Sequence, residues 1–88
     1  MTIAAKQHMG RVAELSCCIC GTWPVEVHHV LEGRIPGRRA PDWLTIPLCP
    51  DCHRGREGIH GSKAMLKVTK KTELQLLAET LEKLYGRS

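Results

Sequence analysis

Apolar positions fall into two helical stretches, one near each end of the chain, with two short strand-like runs between them. In residues 3–15, Ile3, Met9, Val12, Ala13 and Leu15 recur at roughly helical spacing behind Thr2, a residue suited to an N-cap. This predicts a first helix that ends before Cys17, weakened by Gly10. The segment from Val25 to Leu31 is rich in β-branched residues and bounded by Pro24 and Gly33, which predicts a strand carrying His28 and His29. Residues 33–41, with two Gly, two Pro and three Arg, predict an irregular loop. Thr45-Ile46-Pro47-Leu48 reads as a second strand, which Pro47 restricts to an edge or a strand end. Asp51 to about Glu57 predicts a short helix holding Cys52 and His53 and stopped by Gly58. Ser62 can cap a brief helix through Met65 and Leu66, and Thr72 with Gln75 forms a capping box. The helix behind that box puts Leu74, Leu77, Ala78, Leu81, Leu84 and Tyr85 on one face and ends at Gly86. Such a stripe suits core better than a dimer seam, so a monomer is expected. With no repeat, low-complexity segment or second domain, residues 1–88 read as one α+β domain. Its centre is a β-β-α unit within about residues 17–61, flanked by the N-terminal helix and a helical part over residues 62–88.

Composition then asks what holds so small a domain together. The 88 residues contain no Phe, and the aromatic residues are Trp23, Trp43 and Tyr85. A core of this size supplies only a few kcal/mol by itself, so a staple is expected. Cysteine spacing provides one. Cys17-x2-Cys20 and Cys49-x2-Cys52 are two chelating knuckles separated by 28 residues, the pattern of a tetrahedral structural zinc site. Such a site is worth roughly 10–16 kcal/mol, against a typical total stability of about 5–15 kcal/mol. Disulfides fit less well: the cysteine count of five is odd, and residues 1–16 hold no apolar run that could serve as a signal peptide. No stretch is apolar enough to span a membrane, so a reduced cytoplasmic setting is expected. Cys18 is the spare cysteine, since it lies only x1 from Cys20, and it reads as a half-buried small hydrophobe.

The net charge of +4 is unevenly spread. Residues 33–71 carry Arg34, Arg38, Arg39, Arg54, Arg56, Lys63, Lys67, Lys70 and Lys71 against Asp42, Asp51 and Glu57, a balance of +6. The flanks, residues 1–32 and 72–88, are each at −1. Positive charge therefore gathers around the second knuckle, where a polyanion would have to approach.

Four histidines lie among or just beyond the cysteines: His28-His29 between the knuckles, His53 directly after Cys52, and His60. Phosphodiester hydrolysis needs a nucleophile made from water, charge to stabilise the scissile phosphate, and help for the leaving oxygen. A bound cation supplies the last two and a general base the first. Adjacent strand residues face opposite ways, so His28 and His29 are expected to have different jobs.

The double knuckle with a histidine pair inside it resembles the HNH (ββα-metal) nucleases, and Pro47-Leu48-Cys49-Pro50-Asp51-Cys52-His53 is similar to that family's second-knuckle motif. The stretch from His53 to Gly61 resembles more particularly the recombination-enhancement (Ref) nucleases of phages. The likeness covers about residues 11–61. It implies a zinc-stabilised ββα-metal fold and a metal-dependent DNA endonuclease of phage or bacterial recombination and processing, working in the bacterial cytoplasm. Carried over, His28, His53 and His60 would hold the catalytic divalent ion (Mg2+, Mn2+ or Zn2+), and His29 would activate water. Arg34, Arg38, Arg39, Arg54 and Arg56 are the candidates for DNA phosphate contacts. Two departures stand out. The chain contains no asparagine, so the middle residue of the HNH pattern is missing, and Asp42 is preferred over Thr45 as its polar substitute. The long basic N-terminal extension that links the phage Ref proteins to recombinase filaments is also absent, so that partner does not transfer.

Plainer readings exist for each residue. His53 could replace a cysteine in the structural site, His60 could be a surface residue between glycines, and the His28-His29 pair could be packing. His8, alone on the first helix, reads as an ordinary polar residue. The alternative functions are a non-catalytic zinc ribbon that binds nucleic acid and a zinc-stapled interaction module using the leucine face of residues 74–85. Two metal ions per chain favour the nuclease and one favours either module.

Overall fold

The structure is a computed structural model that describes residues 2–86. Its elements follow in the order α1 (Ile3–Ala13), β1 (Glu26–His29), β2 (Thr45–Leu48), α2 (Pro50–Arg54), α3 (Ala64–Thr69) and α4 (Glu73–Tyr85). The two strands pair antiparallel, with Glu26 opposite Leu48, Val27 opposite Pro47, His28 opposite Ile46 and His29 opposite Thr45. The class is α+β. No described helix is long and apolar enough to cross a membrane.

The core gathers Val30, Ile46, Leu48, Ile59, Leu76 and Leu77 around three of the cysteines, Cys17, Cys49 and Cys52. All four residues of β2 are buried, whereas β1 is mostly half-buried. Pro47 has no N–H to donate, but its carbonyl accepts from Cys18 N at 3.0 Å, which ties the first knuckle to the strand. Cys18 itself is half-buried against the core, and burial pushes its thiol up to about 12. The strand expected over residues 25–31 is confined to Glu26–His29. Beyond it the chain keeps one sheet-like bond, Val30 N to Leu44 O at 3.0 Å, before the loop departs.

α1 begins where Thr2 Oγ1 accepts from Ala5 N at 3.0 Å, and its buried residues are Ala5, His8 and Val12. His8 is therefore not the ordinary polar residue expected. It is fully buried, its Nδ1 lies 2.7 Å from the Tyr85 hydroxyl, and its ring centroid is 4.9 Å from that of Trp43. One imidazole thus joins both terminal helices to the loop before β2. Ile3, expected on the inner face, is exposed.

α4 carries the capping box of Thr72 and Gln75 as expected, but its inner face is turned. The buried residues are Glu73, Leu76, Leu77 and Thr80, whereas Leu74 and Tyr85 are about half exposed. The cause is Glu73. Its carboxylate points inward and accepts from Leu31 N and Glu32 N, both at 3.0 Å, so the face that includes Glu73 must look into the molecule. α3 also departs from expectation. Lys63 rather than Ser62 occupies the N-cap, in left-handed backbone with φ 63°, although the Ser62 hydroxyl still accepts from Ala64 N at 3.3 Å.

α2 ends at Arg54 rather than near Glu57, because the chain folds back on itself there. Gly58 N bonds Gly55 O at 3.0 Å, Ile59 N bonds Cys52 O at 2.9 Å, and His60 N bonds His53 O at 3.1 Å. A Cβ on Gly58 would sit 2.7 Å from both the Asp51 and Cys52 carbonyl oxygens, so only glycine permits this return. The return lays His60 beside His53.

Candidate functional site

Two clusters of metal-binding side chains flank α2. The first unites Cys17, Cys20, Cys49 and Cys52, whose sulfurs lie within 4.8 Å of one another. Cys20 Sγ is 3.5 Å from Cys49 Sγ and 3.7 Å from Cys52 Sγ. A tetrahedral zinc with Zn–S bonds of about 2.3 Å has sulfur–sulfur edges of about 3.8 Å, so the spacing fits that ion. Backbone amides turn toward the first knuckle: Ile19 N and Cys20 N approach Cys17 Sγ at 3.4 and 3.5 Å. Gly21 closes that turn with φ +79°, donating to Cys17 O. Cys17, Cys49 and Cys52 are buried, and Cys20 forms the outer edge. Burial raises the Cys52 and Cys49 thiols, while the Thr22 hydroxyl beside Cys20 pulls that thiol down to about 6. The four-cysteine set is compatible with a structural zinc, which would ionise the buried thiols.

The second cluster is built of imidazoles alone. His28 comes from β1, His53 from α2 and His60 from the glycine-closed return, with one ring nitrogen of each within 4.8 Å of the others. His53 Nε2 and His60 Nε2 are 3.1 Å apart. Two of the three rings also have a carboxylate partner. His28 Nε2 is 2.7 Å from Glu73 Oε2, and His53 Nδ1 is 2.8 Å from Glu26 Oε1. A carboxylate only accepts, so each pairing places the ring proton on that side and leaves the opposite nitrogen as a bare lone pair. In His28 this leaves Nδ1, which is buried and has no hydrogen-bond partner. An unpaired buried acceptor is costly, and a cation shared with His53 and His60 would satisfy it. Three imidazoles fit a divalent transition ion and leave further coordination positions open.

The electrostatics agree with that arrangement. Burial, and then the neighbouring His28 and His53, lower His60 below its ordinary value, which favours the neutral form that can ligate. Burial alone would raise Glu73, but its bonds from His28 and from Leu31 N and Glu32 N outweigh this and keep it ionised. Glu26 is lowered by Arg54 first and His53 second.

His29 turns to a different partner, with Nε2 2.8 Å from Asp42 Oδ1. That hydrogen bond holds Asp42 below the usual carboxylate range. Arg39 also reaches Asp42 Oδ1, at 3.5 Å. His28, His29, His53 and His60 all border one cleft of about 480 Å³, which Arg34, Arg38 and Arg39 also line. Arg34 is braced by a bond from its guanidinium to Arg38 O at 3.0 Å.

Compared with known protein families, with curated proteins and with solved structures, the chain matches none.

Not every residue singled out from sequence reaches this cleft. Arg54 is drawn aside, its Nε 2.9 Å from Glu26 Oε1 in a two-point pair, so it serves to hold the carboxylate behind His53. Arg56 is exposed and does not line the cleft. Conversely, sequence reasoning missed Glu26 and Glu73. Glu26 lies one turn of the pleat from His28 on the same strand, a usable local signal. Glu73 is 45 positions from His28 and looks like any acidic residue in a helix's first turn.

Proposed function

We propose that the protein is a metal-dependent endonuclease that hydrolyses DNA phosphodiester bonds, on a ββα-metal core of the HNH kind. What carries the reading is the convergence, on one arginine-lined cleft, of three clustered imidazoles, two of them held by carboxylates, and a separate His29–Asp42 pair. Packing histidines would not need carboxylates behind two of them, and a zinc ribbon has no use for them. In this reading the thiolate cluster holds a structural zinc and staples both knuckles to β2 and α2.

A divalent ion on His28, His53 and His60 would supply positive charge to the scissile phosphate and the leaving oxygen. The protein's own groups do the rest. Asp42 accepts the Nε2 proton of His29, so Nδ1 is the atom left to take a proton from the attacking water. Asp42 fixes that tautomer and stabilises the imidazolium that follows, the task the missing asparagine would otherwise share. Arg38 and Arg34 in the same cleft hold the flanking phosphates in place. In-line attack then leaves a 5′-phosphate and a 3′-hydroxyl.

Nicking of supercoiled plasmid, with and without added Mg2+, Mn2+ or Zn2+, tests the reading. Cleavage should require a divalent ion. His29→Ala should lower the rate by about 10²–10⁴-fold, the usual worth of a general base, while zinc content and DNA affinity stay near those of the parent. Native-rate cutting by His29→Ala would contradict the mechanism, and DNA binding without any cutting would leave a zinc-stapled binding module.

A further inference from the structure

A second basic groove adjoins the histidine cleft. About 430 Å³ in volume, it is lined by Lys63, Lys67 and Lys71 together with Leu31, Glu32 and Glu73. Leu31 walls both grooves, and Glu73 forms part of the lysine groove while bonding His28. The lysine groove thus adjoins the imidazole cleft through Leu31 and the Glu73–His28 pair.

The acidic residues there offset only part of this charge: Glu32 is exposed, and Glu73 stays ionised but inside. Glu73 is only 5 % exposed and is committed to His28 and to the amides of Leu31 and Glu32, and Glu32 accepts from Leu74 N. Lys71 pairs with Glu79 at 2.7 Å. Among the described residues, Lys63 and Lys67 make no ion pair. Backbone geometry adds an independent point. Lys63 and Lys70, which bracket α3, both adopt left-handed φ, 63° and 58°, where glycine is the usual residue. The fold tolerates that strain at two places in a segment that gathers unpaired positive charge.

We infer that the lysine groove is a second phosphate-binding bank, so that the site grips one DNA strand on both sides of the bond it cuts. This rests on the nuclease reading and gives it a substrate class: an extended strand, entered internally, rather than a terminal nucleotide or a short fragment. The scale is suitable. The protein is 33 Å across its broad face, long enough for several successive phosphates of one strand. Lysines act as point charges here, suited to any sequence, while the arginines of the adjoining cleft brace a fixed geometry.

The full-length protein and fluorescent single-stranded DNA of about 20 and about four nucleotides provide the test, with binding followed against salt. Lys63→Gln/Lys67→Gln should bind the long strand about tenfold more weakly, with a log–log salt slope shallower by about 1.4 for two lost phosphate contacts. KM for the long strand should rise by a similar factor with kcat within about twofold, and the short strand should be unaffected. Lys63→Gly separates function from folding: glycine suits the left-handed backbone, so the melting temperature should hold or rise while long-strand affinity falls. Unchanged affinity and slope on the long strand in both variants, or equal losses on both lengths, would overturn the proposal. Wild-type protein that binds but never cuts would sink the nuclease reading alone, because the binding arms still report on the groove.

Discussion

The thiolate and imidazole clusters share α2 but are assembled by opposite rules. The four sulfurs come from one tight turn and the start of α2, with backbone amides turned toward Cys17, and their spacing suits a tetrahedron by themselves. The three imidazoles come from a strand, a helix and a glycine-closed return, and two of them need a carboxylate from elsewhere to fix their orientation. Three of the four cysteines belong to the core, with Cys20 at the outer edge, whereas the imidazoles border the arginine-lined cleft. A closed set of four soft ligands suits an ion held for the fold's sake, whereas three ligands with open positions would suit one that meets a substrate. Damage to the first should therefore appear as unfolding, and damage to the second as lost chemistry in a folded protein.

The largest expected effect is at the first cluster. Cys49→Ser should leave the chain largely unfolded, because a zinc site worth roughly 10–16 kcal/mol exceeds what a core without Phe can replace. Circular dichroism and zinc content check this together, and a folded, zinc-free variant would refute the stapling role. His28→Ala should be milder for the fold and decisive for the site, with the second ion lost and the thiolate-bound zinc kept, as metal analysis would show. Glu73→Gln should come next. It weakens the acceptor for His28 and turns an amide N–H2 toward the amides of Leu31 or Glu32. Second-ion affinity should drop about 10–100-fold, the usual effect of losing a group behind a ligating histidine. Calorimetric titration with Mn2+ reads it, and unchanged affinity would remove Glu73 from the metal site.

A smaller effect concerns pH. Burial, and to a lesser degree Arg11, hold His8 below its ordinary value of 6.5. The unfolded chain therefore binds that proton more readily, so His8 costs stability as pH falls below about 6.5. Urea midpoints should decline from pH 7 to pH 5, less so in His8→Gln; a flat profile in the parent would contradict the buried neutral imidazole. The smallest effect is Cys18→Ser, outside the thiolate cluster, which should cost about 1 kcal/mol or less.

What was legible in the sequence divides along the same line as the two clusters. The knuckles are written in local spacing, and the capping box of Thr72 and Gln75 and the strand Thr45–Leu48 rest on equally local rules. The partners that orient the histidines are not local. Glu73 meets His28 across 45 positions, and Tyr85 meets His8 across 77. Because Glu73 faces inward, it also turned the buried face of α4 away from the stripe that leucine spacing suggested. Hydrophobic periodicity has no means of registering a carboxylate held inside by two amides and an imidazole. The early end of α2 has a comparable origin: the return through Gly55 and Gly58 caps the helix with backbone bonds that the run from Asp51 to Glu57 does not advertise.

The central claim is that two ions serve two purposes, and a chelator titration that follows metal content, cleavage and circular dichroism in one sample tests it most directly. The account expects two ions per chain in protein supplied with Mn2+. The ion on His28, His53 and His60 should leave first, with plasmid cleavage falling in step while the helical signal holds, and returning when the ion is restored. One ion per chain, or cleavage that persists until the thiolate-bound zinc leaves and the fold melts, would contradict it.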